Sequence, residues 1–155
     1  MKEEKRKYKL VTKNKKAYFD YEILDSWEAG IELRGYETKS IRASNVNLKG
    51  SFIVFRNSEA YIKNMHISAW KSLANKESIE TERERKIFLK RKTIDYLSSK
   101  VKEAGLSVVA LELYFSGSLI KLKVGLAKGR KAYQKKQVLK ERDMDKRAKI
   151  AIASY

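Results

Sequence analysis

The chain of 155 residues contains no cysteine and no proline, and a single histidine, His66. Without cysteine there is neither a disulfide nor a thiolate metal site. A lone histidine also rules out a paired-histidine site, so no metal and no cofactor is expected. No apolar run approaches a membrane span, and no apolar stretch of a signal peptide follows the lysine-rich beginning. A soluble, cytoplasmic protein is therefore expected. Catalytic arrangements are equally scarce. Gly125 and Gly129 lie near Lys128 without the spacing of a phosphate-binding loop. Glu28, Glu32 and Glu37 are close in sequence, but carboxylates strung along a strand rim usually solubilise or accept hydrogen bonds. No catalytic residue and no small-molecule substrate is expected.

What the chain has in excess is positive charge: 36 Lys and Arg against 19 Asp and Glu, net +17. Residues 1–16 carry eight basic and two acidic groups, and residues 128–155 carry ten and three. The 111 residues between them hold only +4. A nearly balanced body with two cationic arms is the usual footprint of a nucleic-acid partner. Neither arm has a bulky apolar face that would insert into lipid, so no membrane partner is expected. Three segments follow: a flexible basic arm over 1–13, a body over 14–127 and a basic tail over 128–155.

The body reads as short strands. In YFDYEILD, Phe19, Tyr21 and Ile23 share one face, with Asp20 and Glu22 on the other. Phe19 suits core packing and stacking on a base equally. Glu28-Ala29-Gly30 then reads as a small turn, followed by a short strand in which Ile31 and Leu33 alternate with Glu32 and Arg34. Gly35 permits a sharp exit into a turn or two of helix carrying Glu37, Lys39 and Arg42. Ser51–Ile67 reads as a hairpin turning at Arg56–Glu59, with His66 in its second strand. Residues 71–81 are polar and irregular, a loop. From Glu82 to Glu103, Ile87, Ile94, Leu97 and Val101 recur at helical spacing, as one helix or two joined near Lys92-Thr93. In the last hairpin Val109, Leu111, Leu113 and Phe115 alternate, Ser116-Gly117-Ser118 turns the chain, and Ile120, Leu122, Val124 and Leu126 face inward. Lys121 and Lys123 share its outer face. From Ala127 no apolar stripe is sustained before Ile150. A solitary helix this polar is marginal in water, so the tail is expected to be disordered alone and helical on a partner.

Several blocks, standing in order, point to one family. They are Asn14-Lys15-Lys16-Ala17, the stretch EAGIELRGYETKSIR over 28–42, RERKIFL over 83–89, Lys121-x-Lys123, and in the tail Gly129-Arg130-Lys131 and Lys135-Lys136. The set resembles the tmRNA-binding family small protein B (SmpB, or SsrA-binding protein) from about Asn14 to Arg147. The chain departs from that pattern at Phe19, where the family more often has histidine, and at Thr81, where it has proline. Phe88 replaces the middle leucine of its block and Gln134 an aspartate. The resemblance implies a mainly β, α+β fold: a small closed antiparallel OB-like β-barrel flanked by helices. It implies that the body binds the tRNA-like part of tmRNA, with Phe19, Glu28, Lys39, Arg42, Arg85, Lys86, Phe88, Lys121 and Lys123 as candidate contacts. It further implies that the tail enters the small-subunit decoding site and vacant mRNA channel of a stalled bacterial ribosome, in trans-translation. Lys128, Gly129, Arg130, Lys131, Tyr133, Lys135, Lys136, Lys140 and Arg142 are its candidate contacts. A monomer is expected. Glu28 stands out among these cations as a residue for specificity, or equally as a structural hydrogen-bond acceptor at its turn. Composition by itself reaches only an RNA-binding barrel with cationic arms, which also fits a ribosomal or translation-factor-like protein that binds rRNA.

Overall fold

Asn14 is the knot of the fold. It is buried between strand β1 (Tyr8–Lys13) and helix α1 (Lys15–Asp20) in a computed structural model that describes residues 7–69 and 80–153. Its side-chain oxygen caps α1 by accepting from the Ala17 backbone N–H at 3.2 Å. Its amide nitrogen donates to the Leu48 carbonyl at 3.0 Å and the Ala110 carbonyl at 2.9 Å, so one side chain ties three distant segments together.

The chain continues as β2 (Tyr21–Ile31), α2 (Gly35–Arg42), β3 (Val46–Asn47), β4 (Phe52–Arg56), β5 (Glu59–Lys63) and β6 (His66–Ile67). There follow β7 (Arg85–Phe88), α3 (Arg91–Lys100), β8 (Leu106–Ser116), β9 (Leu119–Gly129) and α4 (Ala132–Ala153). All strand pairings are antiparallel, and they form a circuit: β8 to β9, β2, β7, β5, β4 and back to β8. The return from β4 rests on one pair, Phe52 with Val109. The fold is thus α+β and dominated by one large antiparallel sheet, as expected. Inside sit Ile53, Ile62, Ile87, Ala110, Leu113, Leu122 and Val124, with Ile94 and Leu97 of α3 against them.

Three expectations are corrected. First, Tyr8–Lys13 is a strand lying along β8, from Tyr8 opposite Ser116 to Lys13 opposite Glu112; residues 1–6 of the expected arm lie outside the described residues. Second, YFDYEILD is not one strand, because the Asn14 cap winds residues 15–20 into α1 and β2 begins only at Tyr21; it then runs through Glu28–Gly30, expected as a turn, to Ile31 because β9 pairs with it there. Third, the expected helix over 82–103 is a strand, β7, followed by α3. The pairing of Ile87 with Ala60 on one side and Ile31 on the other overrides local helical spacing.

Two finer differences bear on side-chain direction. A bulge between Ala110 and Glu112 shifts the face of β8. Val108, Ala110 and Leu113 point into the barrel, whereas Val109 and Leu111 join Ala17 and Ala127 in a second small core beneath α1. Gly125 sits there because a Cβ on it would come within 2.6 Å of the Leu111 side chain. His66 does not extend β5: Asn64 breaks that strand at φ 62°, and His66 pairs with Asn47 in a separate two-stranded sheet. Of the loop expected at 71–81, residues 71–79 lie outside the described residues, and the Thr81 carbonyl accepts from the Ile67 N–H at 2.9 Å.

Candidate nucleic-acid interface

The pleat decides what the outer wall of the barrel displays. Ala29, Ile87, Leu113 and Leu122 point inward, so their neighbours along each strand point to the outer side of the sheet. Across the sheet Phe88 stands opposite Gly30, Gly30 opposite Lys121, and Lys121 opposite Tyr114. The next row reads Glu28, Lys123, Glu112. Gly30 leaves room for the ring of Phe88 to lie against the backbone, 3.4 Å from where a Cβ would stand. Phe88 is 51% exposed, an unusual setting for a large apolar ring and one suited to stacking on a base.

Lys86 continues the strip towards β5. Its ammonium lies 5.6 Å from the Phe88 ring centre and 3.0 Å from a Glu59 oxygen. Glu59 also accepts from the Tyr61 hydroxyl at 2.5 Å, and the Arg56 guanidinium lies over the Tyr61 ring at 4.5 Å. Hydrogen bonds from Tyr61 and Lys86 hold the Glu59 carboxyl below its ordinary range. Arg56, Glu59 and Tyr61 were not among the sequence candidates; their signal was the outward phase of the β4–β5 hairpin, which places them beside Lys86.

At the other end of the strip Glu28 accepts a hydrogen bond from the Tyr114 hydroxyl. Burial and this bond to Glu28 together hold the Tyr114 phenol protonated well above tyrosine's usual range. Lys123, opposite Glu28 in register, leans instead towards Glu112 at 4.0 Å. Lys39 and Arg42 lie on the exposed side of α2, Arg42 beside Tyr8, Lys9 and Phe115.

Arg85 is corrected outright as a contact residue. It points into the fold with no exposed surface, donating to Glu37 at 2.6 Å, the Met65 carbonyl at 2.7 Å and the Thr81 carbonyl at 3.1 Å. Arg83 also reaches Glu37. Burial pushes the Glu37 carboxyl up, but hydrogen bonds from Arg83, the Arg34 backbone and Arg85 outweigh it and hold it below the usual range. This buried ion cluster anchors β7 to α2.

Phe19 is not on the strip either. It lies in the last turn of α1, where its carbonyl accepts from Arg130 at 3.5 Å and its ring lies 5.7 Å from the Arg142 guanidinium. The tail therefore begins on α1. Lys128 and Gly129 still belong to β9, opposite Glu22 and Tyr21, so the strand outlasts the expected boundary at 127. The Arg130 N–H donates to the Asp20 carbonyl at 2.8 Å, and Lys135 lies 3.2 Å from the Asp20 carboxylate. Gln134 accepts from the Lys131 N–H at 2.9 Å, closing the first turn of α4. Lys131, Tyr133, Lys136 and Lys140 are exposed, and α4 buries no side chain among its described residues.

A barrel wall carrying lysines, an exposed ring and hydrogen-bonded carboxylates, beside a basic helix with no buried side chain among its described residues, defines a small β-barrel protein built to engage nucleic acid. Residues 11–154 match the family described as SmpB protein, and the chain belongs to that family. It is 42% identical to the SsrA-binding protein of Pelobacter propionicus over 146 residues, covering 94% of this chain and 95% of that protein. To the SsrA-binding protein of Geotalea uraniireducens it is 44% identical over 144 residues, covering 93% and 95%. Among solved structures it is similar to a chain described under "tmRNA-SmpB: a journey to the center of the bacterial ribosome", with a TM-score of 0.66 and 40% identity. That likeness covers 78% of this chain and 85% of the other.

Proposed function

We propose that this protein binds the tRNA-like part of tmRNA and brings it to stalled ribosomes. The RNA lies on the strip across β7, β2 and β9, and α4 enters the decoding site and the vacant mRNA channel. Lysines 86, 121 and 123 neutralise phosphates, Phe88 stacks on an unpaired base, and Glu28 accepts from a base donor. The bound pair stands in for a charged tRNA on its codon. Translation then passes to the tmRNA reading frame, and the nascent chain is tagged for degradation. The protein binds and positions without making or breaking bonds, and it acts in the cytoplasm as a monomer. Among the described residues no helix is long and apolar enough to cross a membrane.

The observation that carries this reading is the presence of two basic surfaces in a chain of this family: a mixed cationic and aromatic wall on the barrel, and a helix with no buried side chain among its described residues. A chain ending at Lys131 keeps β9 whole and removes α4. It is expected to bind tmRNA as the full chain does and to support no tagging on stalled ribosomes. Near-normal tagging by this truncation would remove α4 from the mechanism. Sequencing the RNA that co-purifies with the full chain separates tmRNA from bulk rRNA as the ligand.

A further inference from the structure

Glu28 differs from the other carboxylates of this wall, Glu59 and Glu112, which face the ammonium groups of Lys86 and Lys123. Its partner in register is Lys123, but that ammonium leans towards Glu112 on the far side. The group that holds Glu28 comes from one strand further away: Tyr114 of β8 reaches across β9 and donates to one carboxylate oxygen, Oε2. The Tyr114 ring is only 7% exposed and is braced by Tyr8, with centroids 4.9 Å apart. Such a ring has little freedom to follow a wandering carboxylate, so it fixes where the carboxylate stands. A hydroxyl is also a neutral donor. It orients Glu28 without cancelling its charge, which a salt bridge to Lys123 would do. The second oxygen, Oε1, has no protein partner among the described residues. Glu28 lines a depression of about 360 Å³ together with Tyr8, Trp27, Glu112, Tyr114 and Lys123.

From this geometry we infer that Tyr114 is a positioning residue, which aims the unpaired oxygen of Glu28 at the amino edge of an unstacked RNA base. The inference rests on the reading of the strip as the tmRNA surface. A carboxylate oxygen selects a hydrogen-bond donor, which the amino edge of a base supplies and which phosphates and carbonyl edges do not. Tyr114 thereby contributes to discrimination between RNAs without touching RNA itself.

The test is a double-mutant cycle with Glu28→Gln, Tyr114→Phe and the pair, titrated against the tRNA-like domain of tmRNA and an unrelated hairpin RNA of matched length. Phenylalanine keeps the ring and its contact with Tyr8 and removes only the hydroxyl. Tyr114→Phe is expected to weaken binding to the tRNA-like domain about tenfold, the size of one lost hydrogen bond to a charged group. Binding to the hairpin and the salt slope should stay unchanged. The double variant should bind no more weakly than Glu28→Gln alone, because Tyr114 acts through Glu28. Additive losses, equal losses on both RNAs, or no loss in Tyr114→Phe would each overturn the inference. If Glu28→Gln itself leaves discrimination intact, the reading of Glu28 falls and Tyr114 falls with it. If Glu28→Gln abolishes discrimination while Tyr114→Phe does not, only the role of Tyr114 is lost.

Discussion

Lys135 lies 3.2 Å from Asp20, and this contact binds the first turn of the tail helix to the end of α1. Arg130 on the Asp20 carbonyl and Arg142 over Phe19 add to the same root. The pair is partly solvated, so it contributes at most about 1 kcal/mol. Beyond Arg142 the helix holds an ion pair of its own, Arg147 with Asp143 at 3.3 Å, set against roughly 1–2 kcal/mol of backbone entropy per ordered residue.

Amide exchange should therefore be fast over residues 134–152 in the free protein and strongly retarded when it is bound to a stalled ribosome. At about 1.5 Å per residue that stretch forms a rod of about 28 Å, suited to a phosphate-lined channel. Val138→Pro should abolish tagging and leave tmRNA affinity intact, since it breaks the helix without touching the barrel. Strong protection in the free protein would instead make α4 a docked structural helix and would sink the channel-entry reading.

Asn14 makes a sharper prediction about stability. Alanine removes a helix cap and leaves two buried carbonyls without their donor, for a cost of about 2–4 kcal/mol in denaturant unfolding. Aspartate restores the cap acceptor but turns a carboxylate towards the Leu48 and Ala110 carbonyls. Asn14→Asp should therefore be no more stable than Asn14→Ala at neutral pH. Recovery with aspartate would mean that the cap matters and the two donated bonds do not.

The lysines of the strip should separate by their partners. Lys121 has no acidic partner among the described residues, whereas Lys86 is held by Glu59 at 3.0 Å. Lys121→Ala should lower the slope of log K against log salt by about 0.9 if its ammonium neutralises one phosphate. Lys86→Ala should lower it less, because Glu59 already offsets part of that charge. Equal slopes for Lys121→Ala and the unaltered protein would take Lys121 off the RNA path.

Much of this was legible in the chain because its signals were local. The α2 helix followed from Gly35 and the charges after it, and the β8–β9 hairpin from its alternation and Ser116-Gly117-Ser118 turn. What escaped was set by distant partners. Arg85 occupies an inward strand position that periodicity reserves for apolar residues, so β7 read as part of a helix and Arg85 as a surface cation. Phe19 read as a strand residue because the winding of residues 15–20 depends on Asn14, whose other bonds go 34 and 96 positions along the chain. The β8 bulge, which sends Val109 and Leu111 to a different core from Leu113, leaves no mark in a continuous apolar run.

The Glu37–Arg85 pair supplies the last prediction. Both side chains are fully buried and their polar atoms are mutually satisfied, so removing one partner strands the other. Glu37→Gln should cost about 3–5 kcal/mol in denaturant unfolding at pH 7. The sign of the pH effect follows from the folded state, which holds the Glu37 carboxyl below its usual range. Stabilisation from Glu37 is then fully present above its unfolded pKa, about 4.3, and is lost as the pH falls through the lower folded value. The protein should lose stability steeply below about pH 4, and Glu37→Gln should flatten that part of the profile while lowering the neutral plateau. Arg85→Met, assayed where it remains folded, should leave the salt slope of RNA binding unchanged, because its guanidinium never faces the RNA. A slope reduced by about one unit would return Arg85 to the binding surface and would require β7 to turn its inward face outward.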